Sequence, residues 1–425
     1  MMRIYQWGQV PSEEILARRN PGADVGPAVA GILQTVRERG DEAVLAYGRQ
    51  FDGADLAALE VPRTAWDEAV AQVEPAFLQV MERSRANIED FHRHQLRSSF
   101  VIAEKPGIVL GQKVLPLARV GLYIPGGRAA YPSSVLMNAV PAKLAGVGEL
   151  VMATPATGGR VNPVLLAAAR IAGVDRVFAM GGAQAVGALA YGTETVPRVD
   201  KIVGPGNAYV AEAKRQVFGQ VAIDMIAGPS EILVVSDGRS DPRHLAADLL
   251  SQAEHDPLAA AVLVTDSAAL AEAVAREVET QLAALPRQEI ARASIEENGK
   301  IIVAGDLRQA VEIANEIAPE HLELAVDNPF DFLPLVRNAG SIFLGRHCPE
   351  ALGDYYAGPN HTLPTMGTAR FSSPLSVDDF VKRSSFTYYT AEALAAAAPD
   401  VAAFARREGL EGHARSALIR SGEVL

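Results

Sequence analysis

The strongest constraint on this chain is an alternation of short apolar runs and helix-period stretches from about residue 120 onward. Strand-length apolar runs fall at 150–153, 176–179, 201–203, 221–224 and 231–235. Amphipathic or apolar helix-length stretches fall between them, at 133–144, 163–172, 183–191 and 208–218. Such alternation predicts βαβ units and a parallel, doubly wound sheet. A second set of similar build follows: helix 244–255, strand 261–265, helix 269–285, strand 300–303, helix 307–317 and strands 322–326 and 341–344. The expected fold class is α/β, and 425 residues accommodate two or three domains of ordinary size.

The flanks read differently. Residues 25–51, with Gly40 as a break, and 66–96 carry apolar residues at helical spacing and are expected to pack as helices. Residues 100–123 alternate short apolar runs with Gly and Pro, the pattern of strands and turns. After about residue 376 the chain is expected to end in helices, at 391–405 and 410–419.

Open α/β sheets place ligands at strand–glycine–helix junctions, because helix N-termini offer free N–H groups to anions. Three such junctions occur: Pro125-Gly126-Gly127, Gly181-Gly182-Ala183-Gln184 and Gly204-Pro205-Gly206-Asn207. None is a full GxGxxG; in the third, Tyr209 stands where the last glycine belongs. Each alone reads as a turn. Three in one domain point to a ligand edge without naming the ligand.

Composition narrows the chemistry. There are 39 Lys+Arg against 51 Asp+Glu, a net charge of −12, which disfavours non-specific nucleic-acid binding. The single cysteine, Cys348, excludes an intramolecular disulfide, a CxxC pair and a Cys-rich zinc site. It fits a reducing cytoplasm. The longest apolar stretch, 133–153, is broken by Lys143 and Glu149, so no membrane span is expected. Residues 1–14 lack the basic and apolar regions of a secretory signal, and none is expected.

Any metal must therefore use His, carboxylate or amide ligands. Gln252 and His255 lie three apart at the end of a predicted helix, so both share one face. Asp354 falls in a Gly-flanked turn, and His413 lies near the C-terminus. One amide, two imidazoles and one carboxylate form a plausible N/O zinc set, although each residue alone has an ordinary structural reading. Glu320-His321, after Pro319, supplies a paired carboxylate and imidazole for acid–base work. His361 reads as a loop hydrogen-bonder, and His92, His94 and His244 as surface residues. His347-Cys348 would be the thiol alternative.

Taken together, several long motifs resemble histidinol dehydrogenase. They include Gly121-Leu122-Tyr123-Ile124-Pro125-Gly126-Gly127, Gly204-Pro205-Gly206-Asn207-Ala208-Tyr209-Val210 and Ala227-Gly228-Pro229-Ser230-Glu231. Gln252-Ala253-Glu254-His255-Asp256, Ala318-Pro319-Glu320-His321-Leu322 and Asn360-His361-Thr362-Leu363-Pro364-Thr365 continue the series in the same order. The resemblance covers nearly the whole chain. It implies two incomplete Rossmann-like doubly wound units, of aldehyde/histidinol dehydrogenase type, with small helical terminal segments. The implied division is an N-terminal segment 1–20, a first α/β domain 21–122 plus 237–375, a second at 123–236 with the NAD loops, and a helical segment 376–425.

The resemblance also implies an activity: zinc- and NAD-dependent oxidation of L-histidinol to L-histidine through histidinal. The implied metal ligands are Gln252, His255, Asp354 and His413, and the implied catalytic pair is Glu320 and His321. NAD contacts would fall on Tyr123, Gln184 and Asn207. Substrate contacts would add Ser230 and Glu408 to Gln252, His255, His321, Asp354 and His413. An intertwined cytoplasmic homodimer is implied, with His413 reaching the partner's site. A relative acting on another polar alcohol, and a thiol-dependent aldehyde dehydrogenase using Cys348, are the competing readings.

Overall fold

The protein is described by a computed structural model covering residues 2–17, 24–126 and 130–421. Gly127, in the first glycine loop, lies outside the described residues. The strands run in chain order as follows. β1 (Arg3–Gln6), β2 (Phe100–Ile102) and β3 (Ile108–Pro116) come first. β4 (Arg119–Tyr123), β5 (Glu149–Thr154), β6 (Arg176–Ala179), β7 (Lys201–Val203) and β8 (Ala222–Ile223) follow. Then come β9 (Glu231–Ser236), β10 (Ala260–Thr265), β11 (Lys300–Val303), β12 (His321–Ala325), β13 (Ser341–Leu344) and β14 (Val381–Tyr389).

Two parallel sheets carry the fold. One has five strands in the order β6-β5-β4-β7-β8, and the other has six in the order β1-β11-β10-β9-β12-β13. With the N-terminal β1 set aside, both orders read 3-2-1-4-5 within their own units. That is the doubly wound order, with a switch point between the first and fourth strands. The sequence-predicted α/β class is thus the observed one, and the two units share a build. Helices cover both faces, so central strands such as β9 and β12 are buried along their whole length. This is why β9 reads as a continuous apolar run rather than an alternating one, whereas β12 buries His321 and Glu323 between its apolar residues.

The local signals explain the helix boundaries. Asn162, Asn207, Asp241, Ser267 and Asp306 each cap a helix by accepting backbone N–H groups of its first turn. The stretch read as one helix at 66–96 is two, Arg63–Gln72 and Pro75–Arg93. Pro75 has no N–H to give to a preceding turn and starts the second helix instead. His92, expected at the surface, is fully buried, with Nδ1 2.7 Å from Gln95 Oε1.

Leu96–Pro116 and Val381 onward form a separate compact unit. Its sheet is antiparallel, in the order β14-β3-β2, and is followed by the helices Ala391–Arg407 and Glu411–Leu418. The C-terminal part is therefore not wholly helical. β14 was not legible because nearly all its residues are exposed or half-buried, so it lacks an apolar/polar alternation. Among the described residues, no helix is long and apolar enough to cross a membrane.

The long helix Gly26–Asp52 is kinked at Gly40, which has φ 51° and ψ −132°. Only glycine adopts that region without strain. A Cβ there would lie 2.2 Å from Glu194 Oε2, and that carboxylate also accepts the Asp41 N–H at 2.8 Å. Gly40→Ala should therefore cost about 1–3 kcal/mol. Thermal unfolding would show it as a lower Tm, and an unchanged Tm would contradict the assignment of the kink to glycine.

Candidate active site

The glycine loops gather at the C-terminal edge of the five-stranded sheet, at its switch point between β4 and β7. Tyr123 ends β4 with its ring buried, and its hydroxyl accepts the Gly182 N–H at 3.0 Å. Burial pushes the Tyr123 hydroxyl up to about 12. Gln184 is 1% exposed, and its Oε1 has no hydrogen-bond partner. Beyond β7, Gly204 has φ 109°, and a Cβ there would lie 2.1 Å from Tyr123 O. Asn207 then caps the helix Ala208–Val217, its Oδ1 accepting from Tyr209 N at 3.1 Å and Val210 N at 3.2 Å. Tyr123 at the end of a strand, Gln184 in the first turn of a helix and Asn207 at a helix cap thus all lie at one sheet edge.

The acid–base pair lies on the other sheet, at the opposite kind of edge. The helix Leu307–Ile317 ends on Ala318, a non-glycine residue at φ 51°. Pro319 blocks further helix, and the chain turns directly into β12, so Glu320 and His321 stand at the strand's N-terminal end. Both are buried. Glu320 Oε2 accepts the Glu231 N–H at 2.8 Å. His321 Nδ1 lies 3.0 Å from the Glu231 carbonyl oxygen and 3.0 Å from Gln252 Nε2. A carbonyl can only accept, so Nδ1 carries a proton and donates it to Glu231.

His321 Nε2 is left without a hydrogen-bond partner, 3.4 Å from Asp354 Oδ1 and 4.0 Å from Glu350 Oε1. Burial opposes a charge on His321, but the Glu350, Glu320 and Asp354 carboxylates outweigh it and hold its pKa well above the ordinary histidine value. Burial pushes Glu320 up to about 8, against the pull of His321 and of the Glu231 N–H. Burial also pushes Glu350 up to about 7. It would raise Asp354 as well, yet the nearby His321 imidazole wins and lowers it. Burial lowers His255.

Asp354 does not sit in a Gly-flanked turn, as the sequence suggested. It lies in the short helix Glu350–Tyr355, whose Gly353 packs so close to Phe343 that a Cβ would meet its ring at 2.5 Å. Ser84 Oγ donates to Tyr355 O at 2.6 Å and Asn87 Nδ2 to Tyr356 O at 2.8 Å, fixing the end of this helix. His361 Nδ1 lies 2.9 Å from Asp354 O, and its Nε2 lies 3.1 Å from Ser134 Oγ. Nδ1 therefore donates and Nε2 accepts. Ser134 belongs to the helix Pro132–Leu144, so His361 bridges the glycine-loop unit to the Asp354 backbone.

The remaining expected residues are less gathered. The helix bearing Gln252 stops at Ala253, so His255 lies just beyond it in a turn rather than on its face, its N–H donating to Gln252 O at 3.1 Å. Ser230 precedes β9, and its carbonyl accepts Ala260 N at 3.0 Å. Glu408 and His413 belong to the separate C-terminal unit, and both are exposed. Among the described residues, the group able to surround an ion is His321, Glu350 and Asp354, whose ligand atoms lie within 4.8 Å of one another. Sequence reasoning missed Glu350. Its signal was the four-residue spacing to Asp354, which places both carboxylates on one helix face. Cys348 lines a different cleft, with Ser240, His244, Asp248 and Arg346, away from the Glu320–His321 pair.

A doubly wound nucleotide-type edge in one unit and a buried carboxylate–imidazole pair in the other define an α/β dehydrogenase architecture. The sequence family described as histidinol dehydrogenase matches residues 17–421. A histidinol dehydrogenase of Geobacter sulfurreducens is 58% identical over 410 residues, covering 96% of each chain. One from Lactiplantibacillus plantarum is 55% identical over 392 residues, covering 92% of each. The crystal structure of histidinol dehydrogenase from Elizabethkingia anophelis superposes with a TM-score of 0.94 at 36% identity, over 99% of this chain and 98% of that one. The chain belongs to the histidinol dehydrogenase family.

Gly340 tests how the pair is held. Its N–H donates to Pro319 O at 3.0 Å, and a Cβ would lie 2.5 Å from Glu320 O, a backbone atom that cannot swing away. Gly340→Ala should cost about 1–3 kcal/mol through forced backbone movement. Turnover should fall with it; a variant with wild-type Tm and wild-type turnover would contradict this account.

Proposed function

We propose that this chain oxidises L-histidinol to L-histidine through histidinal, the closing steps of histidine biosynthesis, using NAD and one zinc ion per subunit. The observation that carries the reading is the buried Glu320–His321 pair, with His321 Nε2 unpartnered and turned toward Asp354. The donors nearby are nitrogen and oxygen, a set that suits zinc. Gln252, His255 and Asp354 would hold the metal, with His413 supplied by the second copy of an intertwined homodimer. Exposed Phe100, Val101 and Ile102 of β2 and the 75% exposed Phe404 in the C-terminal unit support such pairing, because large apolar side chains favour cover. The single cysteine is free, in keeping with a cytoplasmic enzyme.

Bound zinc would orient the substrate through its imidazole and amine, and NAD at the Tyr123, Gln184 and Asn207 loops would accept hydride. The protein's own groups manage protons and water. With Nδ1–H held by the Glu231 carbonyl, Nε2 is the ring atom that would take the substrate hydroxyl proton as hydride departs. Glu320, one residue away and hydrogen-bonded to the next strand, would activate the water that hydrates the aldehyde. His321 would accept a proton again before the second hydride leaves. Ser230 and Glu408 would contact the substrate, the latter through its ammonium group.

A second reading of the metal follows from the proximity of His321, Glu350 and Asp354. The two differ in what His321→Asn does. With Gln252, His255, Asp354 and His413 as ligands, turnover should fall by roughly 10²–10⁴-fold, the usual worth of an acid–base group, while zinc content stays at one per subunit. Zinc lost along with activity would favour the second set. Chelation should abolish histidinol-dependent NADH formation, and added zinc should restore it. Metal-free protein that still forms NADH from histidinol would refute the zinc assignment.

A further inference from the structure

A buried ion pair that the reaction steps do not use lies beneath the third glycine loop. Lys214 and Asp224 form it, with side chains only 2% and 1% exposed. The pair grips a single residue, Gly204, from both sides. Asp224 Oδ2 accepts the Gly204 N–H at 2.7 Å, and Lys214 Nζ donates to the Gly204 carbonyl at 2.9 Å. Lys214 also donates to Asp224 Oδ1, and that same oxygen accepts the Met225 N–H at 2.7 Å.

Two charges taken out of water are a poor way to gain stability, because well-packed apolar groups of the same volume commonly do as well. What the pair supplies is geometry. Gly204 is held at φ 109°, pressed against the Tyr123 carbonyl, and the loop then runs through Pro205 and Gly206 to Asn207 at the start of the helix Ala208–Val217. Lys214 lies on that same helix. Loop and helix therefore move as one body only while the pair is intact. Through Met225, Asp224 also holds the start of the segment that leads to Ser230 and Glu231. Further along that segment, Gly228 N donates to Thr365 Oγ1 at 2.6 Å.

We propose that Lys214 and Asp224 are positioning residues for the dinucleotide. They preset the Gly204–Asn207 loop in its receptive shape and tie it to the segment entering the Glu231 strand. The inference rests on the reading that NAD binds at this sheet edge.

The test compares Lys214→Met with the double variant Lys214→Met/Asp224→Asn, each as the zinc-loaded full chain. Removing Lys214 alone leaves Asp224 buried and uncompensated, so that variant should lose Tm; the double variant, which removes both charges, should regain much of it. Both should bind NADH about tenfold or more weakly in fluorescence titrations, since a displaced loop loses pre-organised contacts. KM for NAD should rise in parallel, with KM for histidinol and zinc content little moved. A double variant with wild-type NADH affinity would overturn the proposal, as would affinity that recovers in step with Tm. Wild-type protein that bound no NADH would overturn the cofactor reading itself, and this inference with it.

Discussion

The buried Glu320–His321 pair depends on one residue's backbone. The Glu231 N–H is accepted by Glu320 Oε2, and the Glu231 carbonyl accepts from His321 Nδ1. Both side chains of the pair, at and just before the start of β12, are thereby fixed by the first residue of β9. The arrangement exists only because the two strands are parallel neighbours in a register that sets His321 against Ile232. A slip of one residue would turn His321 to the other face of the sheet and leave Glu320 without its donor. A hydrogen bond is worth about 0.5–1.5 kcal/mol net, and more is lost when a buried partner is left unpaired, so this register carries weight in stability as well as in chemistry.

The two α/β units share a strand order yet use opposite edges. In the five-stranded sheet the C-terminal switch point is open and carries the glycine loops, the expected place for a ligand. In the six-stranded sheet the corresponding end is laced by side-chain bonds beside the cleft that Cys348 lines. Ser236 and Ser240 hydroxyls both donate to Ala325 O, and Arg346 bridges Asp237 and Asp327. Its Glu320–His321 pair stands instead at the N-terminal ends of β9 and β12. Residues 224–230 connect the open edge of one sheet directly to that N-terminal edge of the other, so a short link joins the glycine-loop edge to the strand that holds Glu320 and His321. The Lys214–Asp224 pair sits at the start of this connection, and His361 with Ser134 makes a second bridge.

Much of this was legible in the sequence. Most strands covered on both faces read as apolar runs, and the helix-length stretches between them placed the helices at 163–172 and 307–317 to the residue. The glycine loops and the Glu320–His321 pair announced themselves by local chemistry. What failed was whatever depends on packing. β14 has no buried face to produce a pattern, Glu350 acquires its meaning only when β12 and a six-residue helix meet, and the burial of His92 is decided by distant elements. The expected metal set illustrates the same limit, since Gln252, His255 and Asp354 belong to one compact unit and His413 to the other. The family resemblance carried residue roles that spacing alone left open.

The division of labour proposed for Glu320 and His321 is the centre of this account, and single-turnover product counting addresses it most directly. Glu320→Gln enzyme, mixed with excess NAD and limiting histidinol, should form one NADH per substrate and accumulate an aldehyde that a carbonyl reagent captures, because the water-activating group is gone while the first base remains. The unaltered enzyme should form two. Two NADH per histidinol from Glu320→Gln at an unchanged rate would contradict the account.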